Sequence, residues 1–356
     1  MKLVADLIQD VKDRASIPAD DERITDAIIL KVLNQVLDEQ IYPDLLKISE
    51  EFNVVKKLVN LATDSGTAAF PGQVIPLPRR AYGRVLREVK YYDGSDNLYN
   101  IPYISLQDED RFLKGISYGA IPIGFYFIGD AIKLIGPNIN LLNVGKLVLH
   151  YIIEPNTLVN KTTQYAPISN MDYTVVGGQT YVRFIVSAGS TFNTFYPEMN
   201  TYCINSATKL FDLYRKSSGA LLAADLELER ESDGGFTYFK STQLVPSNIL
   251  DIENFQENGY PVADPYEPDL ILIPSAQSQY STIPYEMDNL LAQIAVGRIL
   301  DMIGDTEGLR VNDTRVKDLY LSVTSALGNR IRGESKKIVN RRSIIRDLKR
   351  RFRRNW

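Results

Sequence analysis

The chain has one cysteine and one histidine in 356 residues, and each scarcity excludes a class of chemistry. The single cysteine, Cys203, excludes an internal disulfide, and we expect it to be a small buried hydrophobic residue. A zinc site normally needs several imidazoles or thiols, so a metal here would require carboxylates alone. His150 lies in the apolar run KLVLHYIIEP, which favours a packed or strand-edge histidine over a catalytic one. The composition therefore predicts no metal, no cofactor and no histidine-based catalysis.

Long hydrophobic runs are also missing. No stretch approaches the roughly 18 consecutive apolar residues of a membrane-spanning helix. The N-terminus MKLVADLIQDVKDR carries too many charges for a secretory signal. Apolar residues at 44% and charged residues at 24% are values of a folded globular chain. The sequence therefore predicts a soluble, non-secreted protein, and its length favours two or three domains.

The net charge of −4 conceals an asymmetric distribution along the chain. The segment from Arg330 to Trp356 holds twelve Lys or Arg and two Asp or Glu, a formal charge of +10. The other 329 residues sum to −14. A cationic segment on an acidic body indicates binding to a partner rather than a particular fold.

Two amphipathic helices are predicted towards the C-terminus. Pro284 suits a first helical turn, and an apolar stripe with steps of three or four follows it: Met287, Leu291, Ala295, Ile299 and Met302. Gly304 and Gly308 predict the break, and Asp313 is expected to N-cap the second helix. The second stripe has the same spacing: Val316, Leu319, Val323, Leu327 and Ile331, before Gly333. The pattern indicates an antiparallel helical hairpin that other helices must cover.

Three helices are predicted near the N-terminus. The first spans residues 1–14 and places four apolar side chains on one face: Leu3, Leu7, Ile8 and Val11. The second follows Asp21 and has a wide apolar face: Ile24, Ile28, Ile29, Val32, Leu33, Val36 and Leu37. Pro43 is expected to break it before a short third helix, DLLKISEEF. We expect the helices of the two chain ends to close into one bundle.

From Asn53 the apolar period changes to that of strands. The runs VVKKLVNLA, VLREVKYYD and GKLVLHYIIEP are β-prone, and SLQDEDRFLKG predicts one or two helical turns. A Gly-Asp turn between FYFI and AIKLI predicts a hairpin. Further on, three pieces are β-prone: DYTVVGGQTYVRFIVSAGSTF, ATKLFDLYRKSSGALLAADLELERES and GFTYFKSTQLVP. The proline-rich stretch from Glu257 to Pro284 is expected to be an extended return to the bundle.

The sequence thus predicts an α+β fold: a helical bundle formed by the N- and C-terminal helices, a small β-rich domain, and an inserted β-rich domain. The expected domain ranges are 1–52 for the N-terminal helices, 53–158 for the β-rich domain, 159–283 for the insertion, 284–332 for the C-terminal hairpin and 333–356 for the basic tail.

This order of elements resembles the head–tail connector adaptors, or ring proteins, of tailed bacteriophages, including the tail-tubular type. The resemblance covers about 1–158 and 284–356 and is carried by FYFIGDAIKLIGP, LHYIIEPNTLV and ALGNRIRGESKKIV. It implies a non-enzymatic virion protein at the head–tail junction, assembled in the host cytoplasm. It further implies a ring of about twelve copies, closed by symmetry, around genomic double-stranded DNA that passes without sequence-specific binding. The implied partners are the portal protein and other tail or neck ring proteins, with no membrane. The insertion 159–283 departs from compact members of this family.

The basic tail is the strongest candidate binding segment. Ile345, Leu348 and Phe352 recur at steps of three and four among arginines and lysines, and Trp356 is a candidate anchor. Four interpretations remain open: a solvated tail, docking into an acidic groove of a partner, contact with DNA phosphate, and adsorption to an anionic membrane. The resemblance favours docking between portal subunits. The candidate portal- or DNA-contacting residues are Arg341, Arg342, Ile345, Arg346, Leu348, Lys349, Arg350, Arg351, Phe352, Arg353, Arg354 and Trp356.

Two further patterns have a functional and a structural interpretation. The run ADLELERE places Asp225, Glu227, Glu229 and Glu231 in alternation with leucines. This pattern suits paired carboxylates for acid–base work or for a divalent cation, or a half-buried strand with an acidic face in water. We favour the strand. VVGGQT and SDGGF lack the context of a phosphate-binding loop and are predicted to be turns.

Three functional hypotheses follow. The first is the ring-forming adaptor below the portal. The alternative is a nucleic-acid-binding protein that uses the arginine-rich tail. The third is an enzyme, such as a cell-wall hydrolase, housed in 159–283, and it ranks last because the sequence supplies no oriented nucleophile and base.

Overall fold

The computed structural model describes residues 1–18, 22–48, 54–60, 74–92, 98–109, 123–136, 146–177, 179–186, 191–204, 209–217, 219, 221–233, 235–242 and 269–328. These residues form helices near both ends of the chain and β-structure between them, which confirms the predicted α+β class. The domain limits given above stay predictions.

Helices from both ends of the chain form one bundle. The helical elements are α1 (Val4–Ala15), α2 (Asp26–Val36), a π-helical turn (Leu37–Ile41), α3 (Tyr42–Ile48), α4 (Phe192–Phe195), α5 (Pro197–Ile204), α6 (Tyr285–Ile303) and α7 (Thr306–Gly328). Leu7 of α1, Leu33 of α2 and Leu291 of α6 are fully buried in the same hydrophobic core. The apolar stripes of helices far apart in sequence therefore cover one another, as predicted.

The prediction that Pro43 breaks the second helix is wrong. The chain continues from α2 through the π-helical turn into α3, and the N–H of Tyr42 bonds to the carbonyl of Leu37, five residues back. This turn shifts the hydrogen-bond register and places Pro43 in the first turn of α3. Proline has no N–H to donate, and the wider π-helical turn before it accommodates that missing bond within a continuous helix.

The C-terminal hairpin is confirmed, with two corrections. Gly304 ends α6 in a left-handed conformation with φ 78°. The second helix starts at Thr306 rather than after Asp313, because the Asp305 Oδ1 atom accepts the amide N–H of Gly308 at 2.9 Å and caps the helix eight residues earlier. Met302 is 59% exposed, although it continues the buried stripe of α6. Ile331 and Gly333 lie outside the described residues.

In the sequence, the strands of two sheets follow the N-terminal helices. They are built from β1 (Val54–Asn60), β2 (Val74–Pro76), β3 (Ala81–Tyr92), β4 (Leu98–Asn100), β5 (Gly124–Ile128), β6 (Ala131–Ile135) and β7 (Lys146–Ile153). The strand orders are β1-β7-β3-β4 and β2-β6-β5, and all these pairs are antiparallel. The predicted hairpin is present as β5 and β6, joined by Gly129 and Asp130, with Gly129 at φ 54°. Only a short 3₁₀ turn, Leu106–Asp108, is described where helical turns were predicted.

The middle of the chain forms a closed six-stranded barrel. Its strands are β9 (Ala166–Val176), β10 (Gln179–Val186), β11 (Lys209–Arg215), β12 (Leu221–Asp233), β13 (Phe236–Ser241) and β14 (Leu270–Pro274), in the order β10-β13-β12-β11-β14-β9. The predicted return segment thus contains a barrel strand, β14, and is not merely a connection. Leu272 of β14 pairs with Leu213 of β11 and with Ala166 of β9, so that β14 joins these two strands in the closed barrel. All three residues are fully buried.

A short extended segment connects the barrel to the bundle. Its strand β15 (Gln277–Ser278) pairs in parallel with β8 (Thr157–Leu158). Next to it, the Val4 N–H donates to the Gln279 carbonyl and the Ser281 N–H donates to the Lys2 carbonyl, both at 2.8 Å. The segment therefore holds the N-terminal residues against the start of α6.

Among the helices of the described residues, none is both long enough and apolar enough to span a bilayer.

Candidate functional site

The predicted binding segment lies outside the described residues. Helix α7 is described as far as Gly328, and the candidate tail residues Arg341 to Trp356 follow it in the sequence. Inward-facing residues near the end of α7 are buried: Val323 is 4% exposed and Leu327 is 3% exposed, both within the bundle core. The bundle thus anchors the helix after which the basic segment begins.

His150 is a half-buried residue of the central strand β7. Its Nδ1 atom lies 3.0 Å from Glu88 Oε2 on the neighbouring strand β3, and Lys90 Nζ lies 2.8 Å from the same oxygen. The hydrogen bond from Lys90 is the largest influence that lowers the pKa of Glu88, with a smaller contribution from His150. Cross-strand polar contacts of this kind stabilise a sheet. The prediction of a packed histidine is confirmed.

The acidic run of β12 forms a strand with a buried apolar face, as predicted. Leu226 and Leu228 are each 1% exposed and point into the barrel, whereas Glu227 is exposed. Glu231 contacts Lys240 of β13 at 2.8 Å. Asp225 is the exception: it is half-buried and has φ 53°, a left-handed conformation uncommon for residues other than glycine. Its carboxylate lies towards Arg80, in the turn before β3.

Asp225 belongs to a buried ionic cluster centred on Arg80 and Asp212. Arg80 lies in the turn before β3, and Asp212 lies in β11 of the barrel. The Arg80 Nη1 atom donates to Asp212 Oδ1 and Oδ2 at 2.9 and 2.7 Å and is 3.5 Å from Asp225 Oδ1. Arg80 is 7% exposed and Asp212 is fully buried. Neither charge could be placed there without the other, since an unpaired buried ion is strongly unfavourable.

Neutral groups complete the hydrogen bonds of the Asp212 carboxylate. It accepts from Ser275 Oγ at 2.8 Å, from the Asp225 amide at 3.0 Å and from Asn156 Nδ2 at 3.2 Å. The Arg80 Nη2 atom donates to the Glu154 carbonyl at 3.1 Å and to Asn156 Oδ1. A carboxylate saturated in this way has no free lone pair for acid–base chemistry. We interpret the cluster as a structural connection between the β3 sheet and the barrel.

Burial alters the titration of groups around this cluster. It is the main influence that raises the pKa of Asp225, followed by the nearby charge of Asp212. Burial also raises the pKa of Tyr42, whose hydroxyl donates to the Ile153 carbonyl and whose ring centroid lies 5.1 Å from that of Tyr82. Both effects follow from a low local dielectric, which disfavours the charged form.

A small cavity lies beside Tyr42 and Asn156. Its volume is about 30 Å³, and Tyr214 and Ile283 also line it. Pockets for small-molecule ligands typically have volumes of roughly 300 to 1,000 Å³. This cavity is therefore too small for a substrate.

Two other chemical groups bear on the sequence predictions. Cys203 is free and half-buried, and burial raises its pKa to about 11, so that the thiol is a weak nucleophile at neutral pH. Across the described ranges, no three His, Cys, Asp or Glu side chains lie close enough to bind a metal ion.

The predicted glycine turns are present at Gly177 and Gly235, both with positive φ.

Sequence reasoning missed the Arg80–Asp212 pair. The available signal was a lone aspartate inside the apolar run KLFDLY, which requires a partner when that strand is buried. The partner lies 132 residues away, so no local spacing identified it.

Comparison with known proteins identifies no family for this chain: no protein-family model matches it, and no curated protein matches it significantly.

Proposed function

We propose that this chain is a structural virion protein, a head–tail connector that assembles as a ring below the portal and leaves a channel for genomic DNA. The proposal includes the portal, other tail or neck ring proteins and further copies of the chain as partners, and the head–tail junction of the virion as the location. It assigns no enzymatic activity.

The observation that carries the proposal is the relation between the two chain ends. Helices α1, α2 and α7 share one buried core, and the segment with a charge of +10 follows the described part of α7 in the sequence. A cationic segment anchored on an acidic body of charge −14 is suited to docking with apolar anchors and arginine–carboxylate pairs.

The charge of the body supports a role in DNA passage. Phosphate is repelled by a surface with excess carboxylate, and a cationic bore would retain it. A ring of acidic bodies would therefore let DNA slide, while weak contacts repeated around the ring would add up to firm attachment to the portal.

The experiment that tests the proposal is native mass spectrometry, with negative-stain imaging, of the full chain alone and mixed with its portal. We expect closed rings in at least one of the two samples. A chain that stays monomeric and does not bind portal would refute the proposal. Truncation after Asn340 is expected to abolish portal attachment while the bundle stays folded.

A second candidate function is nucleic-acid binding, which the charge of the tail favours. It predicts DNA affinity that falls steeply with salt and disappears on truncation after Asn340. A triple variant, Ile345→Ser with Leu348→Ser and Phe352→Ser, separates the two functions because it retains every charge of the tail. Portal docking through apolar anchors would be lost in this variant, whereas binding to DNA phosphate would be retained.

A further inference from the structure

Three residues that precede α1 lie against the segment that leads from β15 to α6. We call residues 1–3 the N-terminal strap. The Ser281 N–H donates to the Lys2 carbonyl of the strap at 2.8 Å. Where the strap ends, the Val4 N–H donates to the Gln279 carbonyl, also at 2.8 Å, and Val4 itself is fully buried in the bundle core. The strap is therefore anchored at its Val4 end and attached beyond it by few bonds.

The strap also contacts the barrel. Leu3 forms an antiparallel bridge with Tyr280 and packs in the same hydrophobic cluster. Three buried residues of the barrel strands belong to this cluster: Tyr214 of β11, and Ile271 and Ile273 of β14. Because the strap continues into α1 of the bundle, it connects the bundle, the barrel and the segment between β15 and α6.

Asp288 is buried at this junction without a hydrogen-bond partner. It lies in the first turn of α6 and is 2% exposed, and among the described residues neither of its carboxylate oxygens accepts a hydrogen bond. The nearby Ser281 hydroxyl also has no partner there. The Lys2 ammonium pairs with Asp10 of α1, which lies 3.7 Å from Arg14 as well. An ionised Asp288 would thus be buried while the cation of the strap is paired with another carboxylate, which is unfavourable.

The charged groups around Asp288 belong to the strap, α1 and α6. The strap supplies the Lys2 ammonium and the N-terminal ammonium, which favour the ionised form, whereas Asp10 of α1 opposes it. Within α6, Glu286 is the other carboxylate of the first turn. Between β15 and α6 the one titratable side chain is Tyr280, whose pKa is raised by burial. Burial is the largest influence on Asp288 and raises its pKa to about 6, so that the docked arrangement suits the protonated form.

The strap is the part of this junction that opens at the least cost. Met287 and Leu291, on either side of Asp288 in α6, are fully buried in the bundle core, so a movement of α6 would disrupt that core. The side chains of Lys2 and Leu3 are only half-buried. Detachment of the strap therefore brings water to the junction while the bundle core stays intact.

We propose that Asp288 controls the strap: residues 1–3 are docked while the Asp288 carboxyl is protonated, and they are released when it ionises. Release exposes the carboxylate to water and frees the Lys2 ammonium from its fixed position beside Asp10. It also withdraws Leu3 from the cluster that it shares with the barrel strands. Ionisation of one carboxyl thus loosens the connection between the bundle and the barrel. The inference concerns the single chain and does not depend on ring assembly.

Hydrogen exchange of the Ser281 amide in the full chain tests the proposal, because this N–H donates to the strap. We expect its opening constant, corrected for the intrinsic effect of pH on exchange, to rise about tenfold from pH 5 to pH 7.5. Linkage gives this factor for a carboxyl with a pKa of about 6 when the strap is docked and its ordinary pKa of 3.8 when the strap is released. The same rise is expected in low, non-denaturing urea, because a local opening exposes little surface.

Three variants test the role of Asp288. Asp288→Asn stays neutral at every pH, so its opening constant should not change between pH 5 and pH 7.5. Glu286→Gln is the matched control in the same helical turn and should retain the tenfold rise. Asp10→Asn removes the other partner of Lys2 and should give a smaller rise, since the ammonium can then pair with ionised Asp288. Unchanged far-ultraviolet circular dichroism at both pH values would establish that the variants are folded.

Each outcome supports or overturns the control of the strap by Asp288. An opening constant of Ser281 that is independent of pH in the unsubstituted chain overturns it, and so does an equal rise in Asp288→Asn. A rise that grows with urea shows that ionisation acts through global unfolding rather than through the strap, and it also overturns the inference. A tenfold rise that is independent of urea and absent only from Asp288→Asn, with a smaller rise in Asp10→Asn, supports it.

Discussion

The Arg80 guanidinium and the Asp212 carboxylate form a buried ion pair between the β3 sheet and the barrel, with Nη1–O distances of 2.9 and 2.7 Å. Residues from the connection after β7, from β12 and from the segment after β14 supply further hydrogen bonds. A charge pair of this kind gives little net stability relative to an apolar pair of the same shape, but removing one member is costly. The pair therefore specifies how the two β-structures sit together more than it stabilises them.

We expect Asp212→Asn to lower the free energy of unfolding by about 3 to 5 kcal/mol, because the Arg80 charge then stays buried without its counter-ion. Denaturant unfolding followed by circular dichroism measures this. The control is Asp130→Asn, which breaks the exposed pair with Arg84 and should produce no measurable change. Equal effects of the two substitutions would contradict the structural role of the buried pair.

We predict that stability depends on pH through Asp288 of α6. This residue is 2% exposed, and neither carboxylate oxygen has a hydrogen-bond partner among the described residues. Burial raises its pKa to about 6, against the opposing influence of the nearby Ser281 hydroxyl and Lys2 ammonium. The folded state therefore holds the proton more tightly than the unfolded state does.

The sign of the pH effect follows from this difference. Protonated Asp288 makes its full contribution to the free energy of unfolding below pH 4. This contribution, about 2 to 3 kcal/mol, is lost as the pH rises through about 6. Unfolding of the Asp288→Asn variant, measured from pH 4 to pH 7, should lack this contribution, whereas Asp318→Asn on the exposed face of α7 should retain it. A variant at Asp288 with an unchanged pH profile would refute the assignment.

Close packing of α6 on α7 depends on Gly297. A β-carbon at this position would lie 2.6 Å from Nδ2 of Asn312, a buried side chain whose Oδ1 accepts from Gln293 at 2.5 Å. Alanine normally stabilises a helix relative to glycine by about 0.5 to 1 kcal/mol. Here we expect Gly297→Ala to destabilise by about 1 to 3 kcal/mol, because the overpacking outweighs this preference.

A double-mutant cycle isolates this effect. In an Asn312→Ala background the clash is absent, so that Gly297→Ala should become neutral or stabilising in thermal or denaturant unfolding. If Gly297→Ala has the same effect in both backgrounds, the two residues are not coupled.

Cys203 is expected to react slowly with thiol reagents. With a pKa of about 11 and partial burial, its thiolate fraction at pH 8 is roughly a hundredfold or more below that of an ordinary cysteine. The rate of reaction with a chromogenic disulfide, measured for the folded and the denatured chain, provides the comparison. Equal rates in the two states would contradict the burial of this thiol.

Local sequence patterns were sufficient for most individual elements. The stripe of α6 from Met287 to Ile299 is buried, and the Gly129–Asp130 turn joins the predicted strands. A helix stripe or a hairpin turn depends on residues within a few positions of one another, so its signal is local.

Errors arose where two local signals competed. Asp305 and Asp313 are both good helix caps, and the structure uses Asp305 because Gly304 ends α6 immediately before it. Pro43 is compatible with the end of one helix or with the first turn of another. The π-helical turn before it places it in the first turn of α3.

The sequence by itself determined the α+β class, the amphipathic faces of the terminal helices and the separation of charge between body and tail. The tertiary structure alone decided that β14 closes the barrel, that Asp225 turns towards Arg80, and that Asp212 is neutralised by a residue 132 positions away. The physical reason is range: backbone periodicity and capping act between neighbours in sequence, whereas strand pairing and the pairing of buried charge depend on which distant segments the fold brings into contact.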